Sequence, residues 1–193
     1  MHIREFIETN YPEYASTERY PADRVAPFCE IDAPWGIFSN FGRTPLKVGG
    51  LTFDTSERLF QVMKFSDSAS RKAVYSKKGN PKMTAKHYEK VGIVRPDWGT
   101  ILVDAMKFCL MKKYEQSEDF RAELERSKGL FIVEDQTRFR KSLPNSWGVK
   151  PSEGKTEFWG TNPMGRLLME LRENGKLDYN LPEDATDFSD LVE

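Results

Sequence analysis

The chain of 193 residues is poor in the residues most often recruited to metal and nucleophile chemistry: it has two cysteines, Cys29 and Cys109, and two histidines, His2 and His87. The cysteines lie far apart, and Met1 to Asn10 carries Arg4, Glu5 and Glu8 where an export signal needs an apolar core. Both are therefore expected to be buried thiols of a reducing compartment, with no disulfide. Neither histidine has a cysteine, histidine or carboxylate at metal-ligand spacing, which argues against a zinc site and against a Ser-His-Asp triad. Acid–base work would fall to carboxylates, lysines or water. No apolar run approaches the ~18 residues of a membrane span. The expectation is a cytoplasmic protein without membrane contact.

Hydrophobic residues make up 38% and charged residues 31% of the chain, enough for one soluble globular domain with a sizeable core. No internal repeat or low-complexity stretch is present. The formal charge of −1 conceals an asymmetry. Arg71, Lys72, Lys77, Lys78, Lys82, Lys86, Lys90 and Arg95 stand against the single acid Glu89, whereas Asp178, Glu183, Asp184, Asp187, Asp190 and Glu193 follow Lys176 with no basic residue. A concentrated basic segment suits a phosphate backbone, and an acidic tail suits a partner contact or a self-screening arm; both also read as ordinary solvated surface.

The stretch Asp54-Thr55-Ser56-Glu57-Arg58-Leu59-Phe60-Gln61-Val62-Met63-Lys64-Phe65 organises the rest. At about 100° per residue, Glu57, Gln61 and Lys64 fall on one stripe of a helix and Leu59, Phe60, Val62 and Met63 on the other side. With Asp54 as N-cap, Glu57 occupies the capping-box position, so it reads either as a cap or as a catalytic carboxylate.

Before this stretch the sequence predicts a short helix near residues 3–9 and an aromatic turn at Trp35–Gly42. A two-strand hairpin follows, Leu46–Val48 and Leu51–Phe53 about Gly49-Gly50. After it come helices near 67–77 and 82–91 broken by Gly79-Asn80-Pro81, then an amphipathic helix from Asp97-Trp98 to about Tyr114 with Asp97 as N-cap. A helix over 120–125, a strand Leu130–Val133 delivering Glu134 and Asp135, and a basic loop Arg138–Lys141 lead to Trp147-Gly148. Asn162 and Pro163 fit the start of a last helix, whose free N–H groups would suit a phosphate as well as a plain cap.

Taken in order, Phe38-Ser39-Asn40-Phe41, Thr55-Ser56-Glu57 with Phe60-Gln61 and Lys64-Phe65, Trp98 with Met106, Ile132-Val133-Glu134, Trp147-Gly148, and Gly160-Thr161-Asn162 with Gly165 and Leu168–Arg172 form one pattern. By it the chain resembles the NADAR family of the YbiA-like superfamily over about residues 34–173. An N-terminal arm at 1–33 and an acidic tail at 174–193 lie outside. The resemblance implies an α+β fold, a single mainly helical domain with a small β-sheet or hairpin. It also implies an N-glycosidase that needs no metal or organic cofactor. Members cleave a ribose C1′–N bond, some in intermediates of riboflavin synthesis, others in ADP-ribosylated guanine of nucleic acid, where they act as antitoxins to ADP-ribosyltransferase toxins.

Carried over by motif, the catalytic set is Glu57, Lys64 and Trp98, and the substrate-binding set is Phe38, Asn40, Gln61, Glu134, Trp147, Gly160, Asn162 and Gly165. Glu57 would stabilise the oxocarbenium-like state and direct water, while Lys64 and Gln61 hold it ionised. Trp98 or Trp147 would stack on the base, and the helix start at Asn162 would take the pyrophosphate. In some members an acid stands three positions before Trp-Gly; here Pro144 does, so a second carboxylate would have to come from elsewhere: Asn145 is adjacent, Asp135 lies upstream, and Glu157 precedes a second Trp159-Gly160 pair. Lys77, Lys78 and Lys82 are expected to contact nucleic acid, which ranks ADP-ribosylated guanine in DNA ahead of ribosylamino-pyrimidines. A non-catalytic module that binds ADP-ribose or neutralises a toxin is the reading of another class.

Overall fold

The computed structural model describes residues 3–139 and 143–192; Arg140 and Lys141 of the basic loop, His2, and Glu193 of the tail lie outside the described residues. In chain order the elements are α1 (Ile3–Asn10), β1 (Glu18–Pro21), β2 (Val25–Phe28), β3 (Leu46–Val48), β4 (Leu51–Phe53), α2 (Ser56–Met63), α3 (Ser68–Ser76), α4 (Pro81–Tyr88), α5 (Trp98–Gln116), α6 (Glu118–Arg126), β5 (Phe131–Glu134), β6 (Lys150–Pro151), β7 (Glu157–Gly160), α7 (Pro163–Asn174) and α8 (Glu183–Thr186). The class is α+β, as the sequence predicts. Among the described residues no helix is long and apolar enough to cross a membrane.

The chain forms two compact units, each discontinuous in sequence: one holds the residues up to Ser39 together with Glu118–Leu177, the other Asn40–Ser117 together with the residues from Asp178 on. In the first, β1 pairs antiparallel with β7, which also pairs with β6, and β2 pairs in parallel with β5. The residues predicted as an arm are thus woven into two sheets. Their strands were not predicted because ERYP and VAPF are short and interrupted by proline, and their partners lie over a hundred residues away. Tyr20, Val133 and Val149 form a buried cluster with Val25, Phe131, Phe158 and Met169 against it. Helix α7 packs on β5, and α6 on α7.

In the second unit α2 is the central element, packed by α3, α4, α5 and β4. Its eight residues are all buried, which is why a narrow apolar stripe understates its environment. The β3–β4 hairpin has the predicted bounds, and Gly49 and Gly50 take φ of 57° and 79°, the paired left-handed conformations of a two-residue turn. The described residues of the acidic tail from Asp178 on pack back onto this unit. Phe188 is buried and packs edge-on against Phe53 at 5.2 Å, with the Arg71 guanidinium over its ring. Asp184 and Asp97 both hold Arg95, while Asp190 and the Asp187 carbonyl meet Arg71. Asp97 therefore spends its carboxylate on Arg95 and makes no side-chain cap on α5. Two arginines of the basic segment are neutralised by the chain itself.

One buried group in this unit predicts a pH effect. Lys113, fully buried on α5, has its pKa pushed down by burial from 10.5 to about 7. Between those values the unfolded chain binds a proton that the folded chain does not. Stability should therefore rise as pH climbs from about 7 toward 10.5 and be lost again on return, by on the order of a few kcal/mol in all. Thermal melts across that window should show a rising Tm in the wild type and a markedly flatter curve in Lys113→Met.

Candidate active site

Helix α2 is started by Thr55, whose hydroxyl accepts from the Arg58 N–H at 3.1 Å. This corrects the expected Asp54 cap: Asp54 is instead held by the Arg58 guanidinium, at 2.6 and 3.0 Å. Glu57 then lies one position earlier in the helix than a capping-box glutamate, and its side chain is released from that role. Its own N–H donates to the Asn40 carbonyl at 2.9 Å. Ser56 donates to the carbonyl and side-chain oxygens of Asn40 at 3.2 and 3.1 Å, and the Asn40 amide donates to the Met106 sulfur at 3.0 Å. Asn40, expected to bind substrate, is thus the residue that fixes the first turn of α2.

Glu57 is 6% exposed, and its carboxylate accepts from the Gln61 amide at 2.9 Å, the contact that the helical stripe predicts. Burial pushes its pKa up, and this outweighs the opposing pull of Lys82, of the Gln61 hydrogen bond and of Lys64. The Lys64 ammonium has its ion pair with Glu89, so the expected role as direct partner of Glu57 is corrected to a weaker one at longer range. Trp98 opens α5 with 2% exposure, tilted against Phe60 at 5.0 Å between ring centroids. It packs the apolar side of α2 rather than presenting an open stacking face. Arg58 escaped the sequence reading. Its guanidinium also donates to the carbonyls of Val74, Lys77 and Gly79 at 2.6, 2.9 and 3.1 Å, tying the α3–α4 connection to α2. The available signal was Asp54 four positions earlier, at the spacing of an i,i+4 ion pair.

In the other unit, Glu134, Trp147, Gly160, Asn162 and Gly165 come together around β5 and the start of α7. Asn162 is fully buried, left-handed at φ 49°, and makes no side-chain cap on α7. Its side-chain oxygen accepts from the Glu134 N–H at 3.2 Å and its amide donates to the Ile132 carbonyl at 2.9 Å. The expected cap of a pyrophosphate-binding helix is therefore a clamp between α7 and β5. Pro163 holds the first helical position as predicted, and the Met164 N–H donates to the Trp147 carbonyl at 3.2 Å. Gly160 and Gly165 serve backbone approach: a Cβ on the first would strike the Gly148 carbonyl, and on the second the Ile132 carbonyl and the Asn162 side chain. Trp147 and Glu134 are half-buried. Phe38 is fully buried, edge-on to Phe28 and Phe120 and stacked on Trp35, so it is core rather than ligand surface. Glu157 pairs with Arg19, and Asp135 accepts from the Thr137 N–H at 2.8 Å.

Lys77, Lys78 and Lys82 are exposed. Lys77 lies over the Tyr88 ring at 4.9 Å.

A sequence profile described as the NADAR domain matches residues 27–174. The chain is 32% identical over 154 residues to "N-glycosidase YbiA" of Escherichia coli strain K12, covering 78% of this chain and 88% of that protein. It is 24% identical over 149 residues to "N-glycosidase Npun_R5314" of Nostoc punctiforme, covering 76% of this chain and 89% of that one. A "Riboflavin biosynthesis protein VVA0006" of Vibrio vulnificus matches at 25% over 170 residues, 84% of this chain but 41% of that protein. Among solved structures, that of the E. coli protein YbiA aligns with a TM-score of 0.60 at 30% identity, over 78% of this chain and 84% of that one.

Proposed function

The chain belongs to the NADAR family, and from that premise we propose that it is an N-glycosidase that hydrolyses a ribose C1′–N bond, with Glu57 as its catalytic carboxylate and ADP-ribosylated guanine in DNA as its substrate. The observation that carries this reading is the buried Glu57 carboxylate, fixed by Gln61 at 2.9 Å and raised in pKa by burial. A poorly solvated carboxylate gains most when positive charge develops beside it, which is what happens at C1′ as the bond to nitrogen breaks. The C1′–N electron pair leaves with the base. Water adds its oxygen to C1′, Glu57 accepts the proton released, and that proton then passes through solvent to the leaving nitrogen, which returns Glu57 to its ionised form. Catalysis needs Glu57 ionised, so its raised pKa places the acidic limb of the rate profile above the usual carboxylate range.

The choice of nucleic acid rests on the exposed lysines of the basic segment, Lys77, Lys78, Lys82, Lys86 and Lys90, which remain once Arg71 and Arg95 are neutralised by the tail. Hydrolysis of a riboflavin-pathway ribosylamino-pyrimidine is the second reading, favoured by the relative named for riboflavin biosynthesis. Reversing Lys78, Lys86 and Lys90 to glutamate separates the two. On an oligonucleotide carrying ADP-ribose on guanine, kcat/KM should fall by about tenfold or more at low salt, and the wild-type rate should drop steeply as salt is raised. Equal rates for variant and wild type, insensitive to salt, would move the assignment to the small-molecule substrate. A toxin partner for the chain is a proposal from family habit, tested by co-expression with a DNA-guanine ADP-ribosyltransferase.

A further inference from the structure

The described residues from Asp178 on lie beyond the match to the NADAR domain, which ends at residue 174, whereas the two arginines they hold, Arg71 and Arg95, lie within it. Both arginines belong to the basic segment and both adjoin the helix of Glu57. Arg71 is on α3, which packs on α2, and the Arg95 N–H donates to the carbonyl of Lys64, the residue that ends α2, at 3.0 Å. Arg71 is 8% exposed and Arg95 6%. A guanidinium buried to that degree calls for an anion beside it.

The tail supplies the anions, and it supplies them unevenly. Asp97 holds the Nε and Nη2 of Arg95 at 2.9 and 2.8 Å, and Asp184 takes the other edge, Nη1 and Nη2, at 2.7 and 3.3 Å. The Asp184 side chain is nonetheless 71% exposed, so water and salt reach that contact from outside. Arg71 is served less well. It donates to the Asp187 carbonyl, Asp190 Oδ1 stands 3.5 Å away, and neither that oxygen nor the Arg71 Nε makes a hydrogen bond. A guanidinium is better matched by a phosphate, which accepts from two of its N–H groups at once. Among the described residues the segment buries three apolar side chains, Ala185, Phe188 and Leu191. So light an anchor opens at lower cost than the core beneath it.

We propose that the acidic C-terminal segment is an intramolecular substitute for phosphate: Asp184 and Asp190 occupy an anion site made by Arg71 and Arg95, and the backbone of a nucleic acid displaces the segment to reach it. The tail thus sets the affinity of the basic segment, and the complete interface is the exposed lysines together with the two arginines that the segment covers. The inference rests on the nucleic-acid reading of the site, and the test keeps the two apart.

The probe is an unmodified DNA oligonucleotide, with its binding to the full chain at low salt followed by fluorescence anisotropy. Asp184→Asn should tighten binding by about fivefold, and Asp184→Asn with Asp190→Asn by more, because the competing anions are removed. Glu183→Gln, the same loss of charge on the exposed neighbour of Asp184, should change Kd by less than about twofold. In the wild type, hydrogen exchange of the amides at 183–191 should quicken when saturating oligonucleotide is added. Equal gains in Asp184→Asn and Glu183→Gln, or tail amides that exchange no faster in the complex than in the free protein, would overturn the proposal while leaving the nucleic-acid reading in place. Failure of both the wild type and Asp184→Asn to bind the oligonucleotide would overturn that reading and the proposal with it.

Discussion

Glu57→Gln is expected to lower kcat/KM by roughly a thousandfold, the range for loss of a group that both accepts a proton and stabilises charge in the transition state. Glutamine keeps the shape of the side chain and can still pair with Gln61, which accepts through its own oxygen once the amide is turned, so ligand binding should survive. The same substitution should make the protein more stable at neutral pH. The carboxyl's pKa is raised in the folded state, so its favourable contribution is complete below the ordinary glutamate value and is lost as pH rises through the folded one. Glutamine suffers no such loss. The Tm of the variant should therefore exceed that of the wild type by an amount that grows with pH above the acid range, a difference that thermal melts at a series of pH values measure directly. Loss of activity with gain of stability distinguishes a site carboxylate from a structural one.

Gly165→Ala is expected to destabilise the other unit by about 3 kcal/mol or more, among the largest effects of a single methyl in this protein. The methyl group would be driven into the Ile132 carbonyl, a backbone atom that cannot turn aside, and into the Asn162 side chain that clamps α7 to β5. Relief requires α7 to lift from β5, which breaks the pair of Asn162 hydrogen bonds at 3.2 and 2.9 Å and the Met164–Trp147 contact together. Urea unfolding should show the loss. Gly154→Ala, whose Cβ would meet nothing nearer than Thr156 at 4.0 Å, should stay within about 0.5 kcal/mol of the wild type.

Both residues were legible in the sequence, for different reasons. The Glu57–Gln61 pair follows from helical spacing, since positions four apart share a face whatever surrounds the helix. The Gly49-Gly50 turn, the long α5 and the Pro163 start of α7 are likewise local, set by conformation that a few residues dictate. The cap of α2 was not legible: Asp54 and Thr55 can both serve, and the choice went to Thr55 because Arg58, fixed by carbonyls of the α3–α4 connection, takes Asp54. The same holds for Asn162, which has the composition of a cap and the position of a clamp. Its partners on β5 lie about thirty residues earlier in the chain. Phe38 and Trp98 carry family signatures but are enclosed by aromatic neighbours, so their motif positions reflect packing as much as chemistry. The tail looked like solvated charge because Phe188 and Leu191 are sparse among acids. Its acids are held by Arg71 and Arg95, which the sequence places about ninety to a hundred and twenty residues away.

The most direct test of the account is to incubate the purified protein with an oligonucleotide carrying ADP-ribose on guanine and to follow released ADP-ribose for wild type and Glu57→Gln. Release by the wild type that disappears in the variant is the predicted result. Release that persists undiminished in Glu57→Gln would contradict the central claim that this buried carboxylate performs the glycosidic cleavage.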